Sequence, residues 1–275
     1  MGRFARSWQL FKASWAVLRS RKELAVFPVL SGVASVVVAV AFLAPAAAVS
    51  WSEMDNNGGV KPLSYVLLGL FYLVSAYVTI FFNAALISQA NIALSGGDPS
   101  VKGGLKVAGE NWLRILPWAV ISATVSVILR AIEERLGFLG RFIVGLVGLA
   151  WQLVTFLVLP VLVLERVGVK QGLSRSAEMF KGTWGENVVG NAGLGILGFL
   201  LTLPGVALIA LGVSAGGATA LACLIVAVVW FLVVAIVMTA LTGIYQTALY
   251  RFAADGATPP AFEQADLSHM FASKR

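Results

Sequence analysis

Six long apolar runs separated by short polar breaks dominate the chain, at about residues 24–48, 63–88, 112–130, 138–164, 188–213 and 218–243. None carries a cluster of charge in its middle. A helix needs about 20 mostly apolar residues to cross a hydrocarbon core about 30 Å thick, so each run predicts a transmembrane helix. The polar breaks alternate in kind. One set, SWSEMDNNGGVKP, AIEERLG and SAGGA, consists of short loops that join the two helices of a hairpin. Ahead of the first run the period changes: Phe4, Trp8, Phe11, Trp15 and Leu18 recur at spacings of 4, 3, 4 and 3, one stripe of an α-helix over residues 3–22. Arg3, Arg6, Lys12, Arg19 and Lys22 lie mostly off that stripe. Such a helix favours the headgroup plane with its apolar side down, where Trp and Lys or Arg set its depth. Packing of the same stripe on the transmembrane bundle is compatible with this.

The peptide SWQLFKASW, residues 7–15, returns as SAEMFKGTW at 176–184, just before the fifth run. VKGGLKVAGENW at 101–112 shares VK-x-GL with VKQGL at 169–173 and reaches Trp112 where the third run begins. The pattern therefore predicts an all-α, polytopic membrane protein with six transmembrane helices in three repeats of interfacial amphipathic helix plus transmembrane hairpin. The repeats run over about 1–95, 96–165 and 166–250 of a single transmembrane domain, followed by a flexible tail, 251–275, with a short helix over 261–272. Each hairpin must turn from the interface into the bilayer, and the same anchors serve: Phe4, Trp8, Phe11, Lys12, Trp15, Trp112, Phe180, Lys181 and Trp184. Asp98-Pro99 is the expected N-cap and first residue of the second elbow, and Pro28 the expected bend after the first.

Composition agrees with a membrane class. Apolar residues are 59% of 275, charged residues 12%, and the mean hydropathy is +0.89, whereas soluble domains carry about 25% charged residues. The net charge of +7 points to orientation and not to nucleic acid. Sixteen of the 20 Lys and Arg fall on the side of the termini and elbows, against Lys61, Arg130, Arg135 and Arg141 opposite. By the positive-inside bias both termini are cytoplasmic, in the inner membrane of a prokaryote, and the inner face is expected to attract anionic lipid headgroups. Ala46-x-Ala48 imitates a signal-peptidase site, but the apolar run before it exceeds a signal core, so cleavage is not expected. Cys223 is the sole cysteine and His269 the sole histidine. No disulfide framework, thiolate or histidine metal site or Ser-His-Asp triad is expected, and no cofactor.

Several motifs together resemble a family of six-span prokaryotic integral membrane proteins known only as a domain of unknown function. They are SW.LFK.SW.VLR..KEL..FP at the start, FFNAALI....IAL.GGDP at 81–99, RAIEERLG..GR at 130–141, LP.LVLE..G at 159–168 and S...FK.TWGE..VGN at 176–191. The resemblance implies a six-helix membrane fold and brings no activity with it.

Polar residues inside the runs are few and aligned. Arg141, Gly145, Gly148, Gln152 and Thr155 share one face of the fourth run; Asn187, Asn191, Gly195, Gly198, Thr202 and Gly205 share one of the fifth. Tyr72, Ala76, Thr79 and Asn83 line the second, and Thr239, Thr242 and Gln246 the sixth. Two readings stay open: small residues and amides that pack helices together, or faces converging on a hydrated cavity marked by Asn83, Arg141, Gln152, Asn187, Asn191, Thr202 and Gln246. The lack of membrane-embedded Asp, Glu or Lys argues against a proton- or sodium-coupled pump of the usual kind. Glu133 and Glu134 belong to a solvated helix end in which Arg130 and Glu134 can pair. SGGDPS and SAGGA are turns without the lysine of a phosphate loop. The expected function is non-enzymatic: organising lipids or scaffolding partners through cytoplasmic amphipathic helices, with a protein partner or self-association open. The alternatives are a channel or uncoupled permease for a small solute, an anion being the candidate, and, behind it, a membrane-embedded lipid-acting enzyme.

Overall fold

The computed structural model describes residues 3–54, 62–182, 184–256 and 259–263. Their regular structure is helical, and six helices are long and apolar enough to cross a membrane. In chain order these elements are α1 (Arg3–Ser20), a 3-10 turn (Lys22–Ala25), α2 (Val26–Met54), α3 (Pro62–Leu94), α4 (Val101–Glu110) and α5 (Trp112–Arg135). They continue with α6 (Phe138–Thr155), α7 (Val158–Leu164), α8 (Val169–Gly182), α9 (Trp184–Ala215), α10 (Gly217–Asp255) and α11 (Pro260–Glu263). The fourth expected span is interrupted. Pro160 lacks the N–H that Phe156 O would accept, and its ring crowds that carbonyl, so the helix stops at Thr155 and restarts at Val158.

The helices group into two units whose bounds do not follow those of the three expected repeats. One comprises the described residues up to Ala25, Ala90–Pro99 and those from Met179 onward. Its centre is the α9–α10 hairpin, turned at Gly216 and Gly217, both at positive φ. Contact recurs every seven residues along α9. A Cβ at Gly198 would meet Met238 at 3.2 Å, one at Gly205 would meet Phe231 at 2.7 Å, and one at Gly212 would meet Cys223 at 2.8 Å. Small residues let two backbones approach where there is no hydrophobic drive between helices in lipid. Trp230 Nε1 donates to Leu201 O at 2.8 Å, in the turn where Pro204 withdraws a donor. Gly195, on the same expected face, meets nothing. Helix α1 packs on α9, α10 and α11, and Phe262 of α11 is fully buried. Within the expected tail α10 continues to Asp255 and Phe262 is buried, while most of the helix expected over 261–272 lies outside the described residues.

The second unit comprises Val26–Gln89 and Ser100–Glu178. Helices α5 and α6 form its hairpin, with Trp118 and Trp151 stacked at 6.3 Å. Helix α7 is buried from Val158 to Val163. Ser176 Oγ on α8 donates to Val154 O at 2.6 Å, one of the carbonyls that the end of α6 leaves without an intrahelical donor. Glu110 pairs with Arg166 at 3.6 Å and Glu165 with Arg175 at 3.7 Å, exposed ties of small worth. The expected pair Arg130–Glu134 does not form among the described residues, although α5 does extend through both.

Burial is uneven along each long helix. Every residue from Ala84 to Ala90 is buried, as are Leu241, Ile244, Tyr245, Ala248 and Leu249. By contrast Val33, Val36, Val37 and Val40 of α2, Leu139 to Leu149 of α6 and Leu221 to Val233 of α10 are largely exposed aliphatics. Soluble monomers rarely expose apolar patches beyond a few hundred Å², so these stretches are suited to acyl chains.

Candidate functional site

Helix α1 presents two apolar faces. Leu10, Ala13, Ser14, Val17 and Leu18 are buried, at the i, i+3, i+4, i+7 and i+8 spacing of a docked helix. Beside them Trp8, Phe11 and Trp15 form a continuous row, ring centroids 5.3 and 6.2 Å apart and nearly parallel. Trp8 is 49% and Trp15 41% exposed. Lys12 Nζ stands 5.6 Å from the Trp8 ring centroid, within reach of a cation–π attraction, and Arg19 is exposed nearby on the same sector. The expected aromatic stripe thus divides: Leu18, at its edge, turns into the protein while the rings stay outside. Phe4 belongs to α1, but its side chain lies outside the described residues.

Trp112 opens α5 and is 49% exposed. Asn111 before it is buried; its Nδ2 donates to Val107 O at 2.8 Å and its Oδ1 accepts from Arg114 at 3.0 Å, which fixes the angle between α4 and α5. Lys181 is exposed and Phe180 half-buried on α8. Trp184 opens α9, its side chain outside the described residues.

The start of α4 rests on residues that periodicity did not mark. Its N-cap is Ser100, whose Oγ accepts from Gly103 N at 3.1 Å. Gln89, buried, accepts from Ser100 N at 2.8 Å through its side-chain oxygen. The expected cap at Asp98-Pro99 is therefore displaced, and Asp98 instead pairs with Arg21 at 2.5 Å. The bend after α1 sits at Arg21 and the 3-10 turn. Pro28 lies in the first turn of α2, where its missing N–H costs nothing.

Asn83, Arg141 and Gln152 belong to the second unit, Thr202 and Gln246 to the first. Arg141 and Gln152 are exposed, and Gly145 between them meets no neighbour. Asn83 and Gln246 are half-buried. Thr202 Oγ1 donates to Phe199 O of its own helix at 2.6 Å. The side chains of Asn187 and Asn191 lie outside the described residues.

Residues 62–260 match the sequence model of a family of unknown function, DUF6159. The chain belongs to that family. No curated protein and no solved structure matches it. The DUF6159 match runs from the first residue of α3 to the first of α11. It includes Gln89, Ser100 and Trp112, while α1 with its aromatic row precedes it.

Proposed function

We propose that this DUF6159 member is a non-enzymatic integral membrane protein of a prokaryotic inner membrane, with both termini cytoplasmic, that organises lipids at the inner leaflet through its amphipathic helices. The observation that carries the reading is the exposed Trp8–Phe11–Trp15 row with Lys12 and Arg19 beside it, on a helix already docked by its other face. An aromatic strip edged by cations matches the headgroup boundary, where indoles and basic side chains are both favoured.

The same reading holds three repeated elbows. Supporting it, α4 and α8 each begin at the Val of VK-x-GL. In each, the glycine of that motif lies under a side chain: a Cβ at Gly104 would overlap Phe27, and one at Gly172 would meet Leu162 at 2.9 Å. Leu10 and Met179, equivalent in the nine-residue echo, are both buried, and Lys12 and Lys181 both exposed. The copies also differ: Trp15 lies inside α1 whereas Trp184 opens α9, and Ala177 stands where α1 has Trp8. Self-association or a protein partner remains compatible with the outward Gly145–Gln152 face.

Reconstitution with lipids brominated near the carbonyl end of their chains tests the proposal. The fluorescence lost when Trp8 and Trp15 are replaced by Phe should be quenched by those lipids. If that difference signal is indifferent to bromine, α1 does not touch the bilayer and the reading fails.

A further inference from the structure

The geometry points to a binding site for the phosphoglycerol headgroup of an anionic phospholipid, in the cavity of about 320 Å³ formed by the end of α1, the end of α3 and Pro260. The inference rests on the interfacial reading of α1 and gives that face a specific ligand. All the wall residues belong to the first unit.

Depth comes first. Arg21 adjoins the apolar stretch that starts at Lys22, and Leu94 ends the one that starts at Pro62, so the cavity lies at the boundary of two candidate crossings, where lipid phosphates are. Its chemistry is divided in the manner of a lipid. Val17, Leu94 and Pro260 supply an apolar wall, and Ser20 and Arg21 a polar one. A volume near the low end of small-ligand pockets, about 300–1,000 Å³, suits a headgroup.

The donors and acceptors point the same way. Arg21 Nη1 holds Asp98 through a single carboxylate oxygen, and the Asp98 side chain is 90% exposed, so the pair is solvated and weak. The other guanidinium N–H groups can serve a phosphodiester, whose oxygens match the guanidinium fork. The Ser20 hydroxyl donates to Val17 O at 2.9 Å, which leaves its oxygen lone pairs to accept from a headgroup glycerol. The carbonyl end of α3, which would repel an anion, is occupied. Gly96, at φ +80, and Gly97 close it with N–H bonds to Ala93 O and Ile92 O at 3.0 Å each. Arg251 Nη1 adds bonds to Asn91 O and Ser95 Oγ. Arg251 also brings a second cation to within one residue of the Gly96 wall, and its buried Nε has no partner among the described residues.

Native mass spectrometry of the full chain, titrated with short-chain phosphatidylglycerol, phosphatidylcholine or inorganic phosphate, tests the site. Phosphatidylglycerol should bind with preference over the other two. Arg21→Gln should weaken it about five-fold, the worth of one interfacial cation. Asp98→Asn, which frees the guanidinium, should leave binding equal or tighter. Ala93→Phe, which fills the cavity, should abolish it. Equal binding of phosphatidylcholine, competition by inorganic phosphate at matched concentration, or an Asp98→Asn loss parallel to that of Arg21→Gln would each overturn the proposal, the last by making the pair a purely structural tie. Quenching of Trp8 and Trp15, read on the same samples, separates the two ideas: lipid selectivity absent with quenching intact removes only the cavity site.

Discussion

Gly104 and Gly109 lie on the same short helix, and their surroundings assign them opposite sensitivities. A Cβ at Gly104 would overlap the Phe27 ring, whereas one at Gly109 meets nothing within 4 Å. In an exposed helix, Gly→Ala gains about 0.5–1 kcal/mol. Overpacking a filled site costs about 1–3 kcal/mol and wins at position 104. Gly104→Ala should therefore lower the midpoint of unfolding in mixed detergent micelles while Gly109→Ala raises it. Adding Phe27→Leu to Gly104→Ala should recover part of the loss, a coupling visible in the double-mutant cycle. The neighbouring Gln89 shows where reading the sequence stopped. In SQAN it is one polar residue near the end of an apolar run, and its meaning depends on Ser100, eleven residues later and on another helix. Asp98-Pro99 looked like the better cap because capping preference is local, while the acceptor that decided the matter is not.

At the scale of the element, the six apolar helices were legible because length and hydropathy are properties of contiguous residues. The interruption at Phe156 and Leu157 was not, since a proline such as Pro160 can either kink a span or open a new helix, and only packing chooses. The aromatic row of α1 was legible from its 3–4 spacing. Its docking face was not, because Leu10, Ala13 and Val17 are set apart from Trp8 only by what α9, α10 and α11 place against them. In the α9–α10 hairpin, the bond from Trp230 to Leu201 O supplements the glycine contacts. Trp230→Phe keeps an aromatic ring but removes the N–H donor and part of the indole, and should destabilise the hairpin by at least about 0.6–2 kcal/mol; an unchanged denaturation midpoint would show that neither the bond nor the lost volume matters to the hairpin.

For the whole molecule, two predictions concern how its parts act together. Phe262→Ala removes a fully buried ring, a class of change costing about 3–5 kcal/mol. Because α11 packs on α1, the loss should appear locally as at least ten-fold faster amide exchange across Leu10–Leu18, with α9 and α10 little altered. If exchange rises uniformly instead, the segment supports the fold at large and not α1 in particular. Proteoliposomes should pass chloride, sulfate and glycerol no faster than empty vesicles, with Gln152→Leu making no difference; flux above that level would restore the conduit.

Helix α10 has 39 residues, about 58 Å at 1.5 Å per residue, nearly twice the thickness of a hydrocarbon slab. One rod therefore passes through two solvents. Its Leu221–Val233 stretch leaves aliphatic side chains exposed and suited to fatty chains, and its Ala240–Tyr250 stretch is packed among the protein's own side chains. Longer or shorter lipid tails should then alter the first stretch and hardly register in the second, so that α10 behaves as a post whose footing is set in protein and whose upper length adjusts to the membrane it stands in.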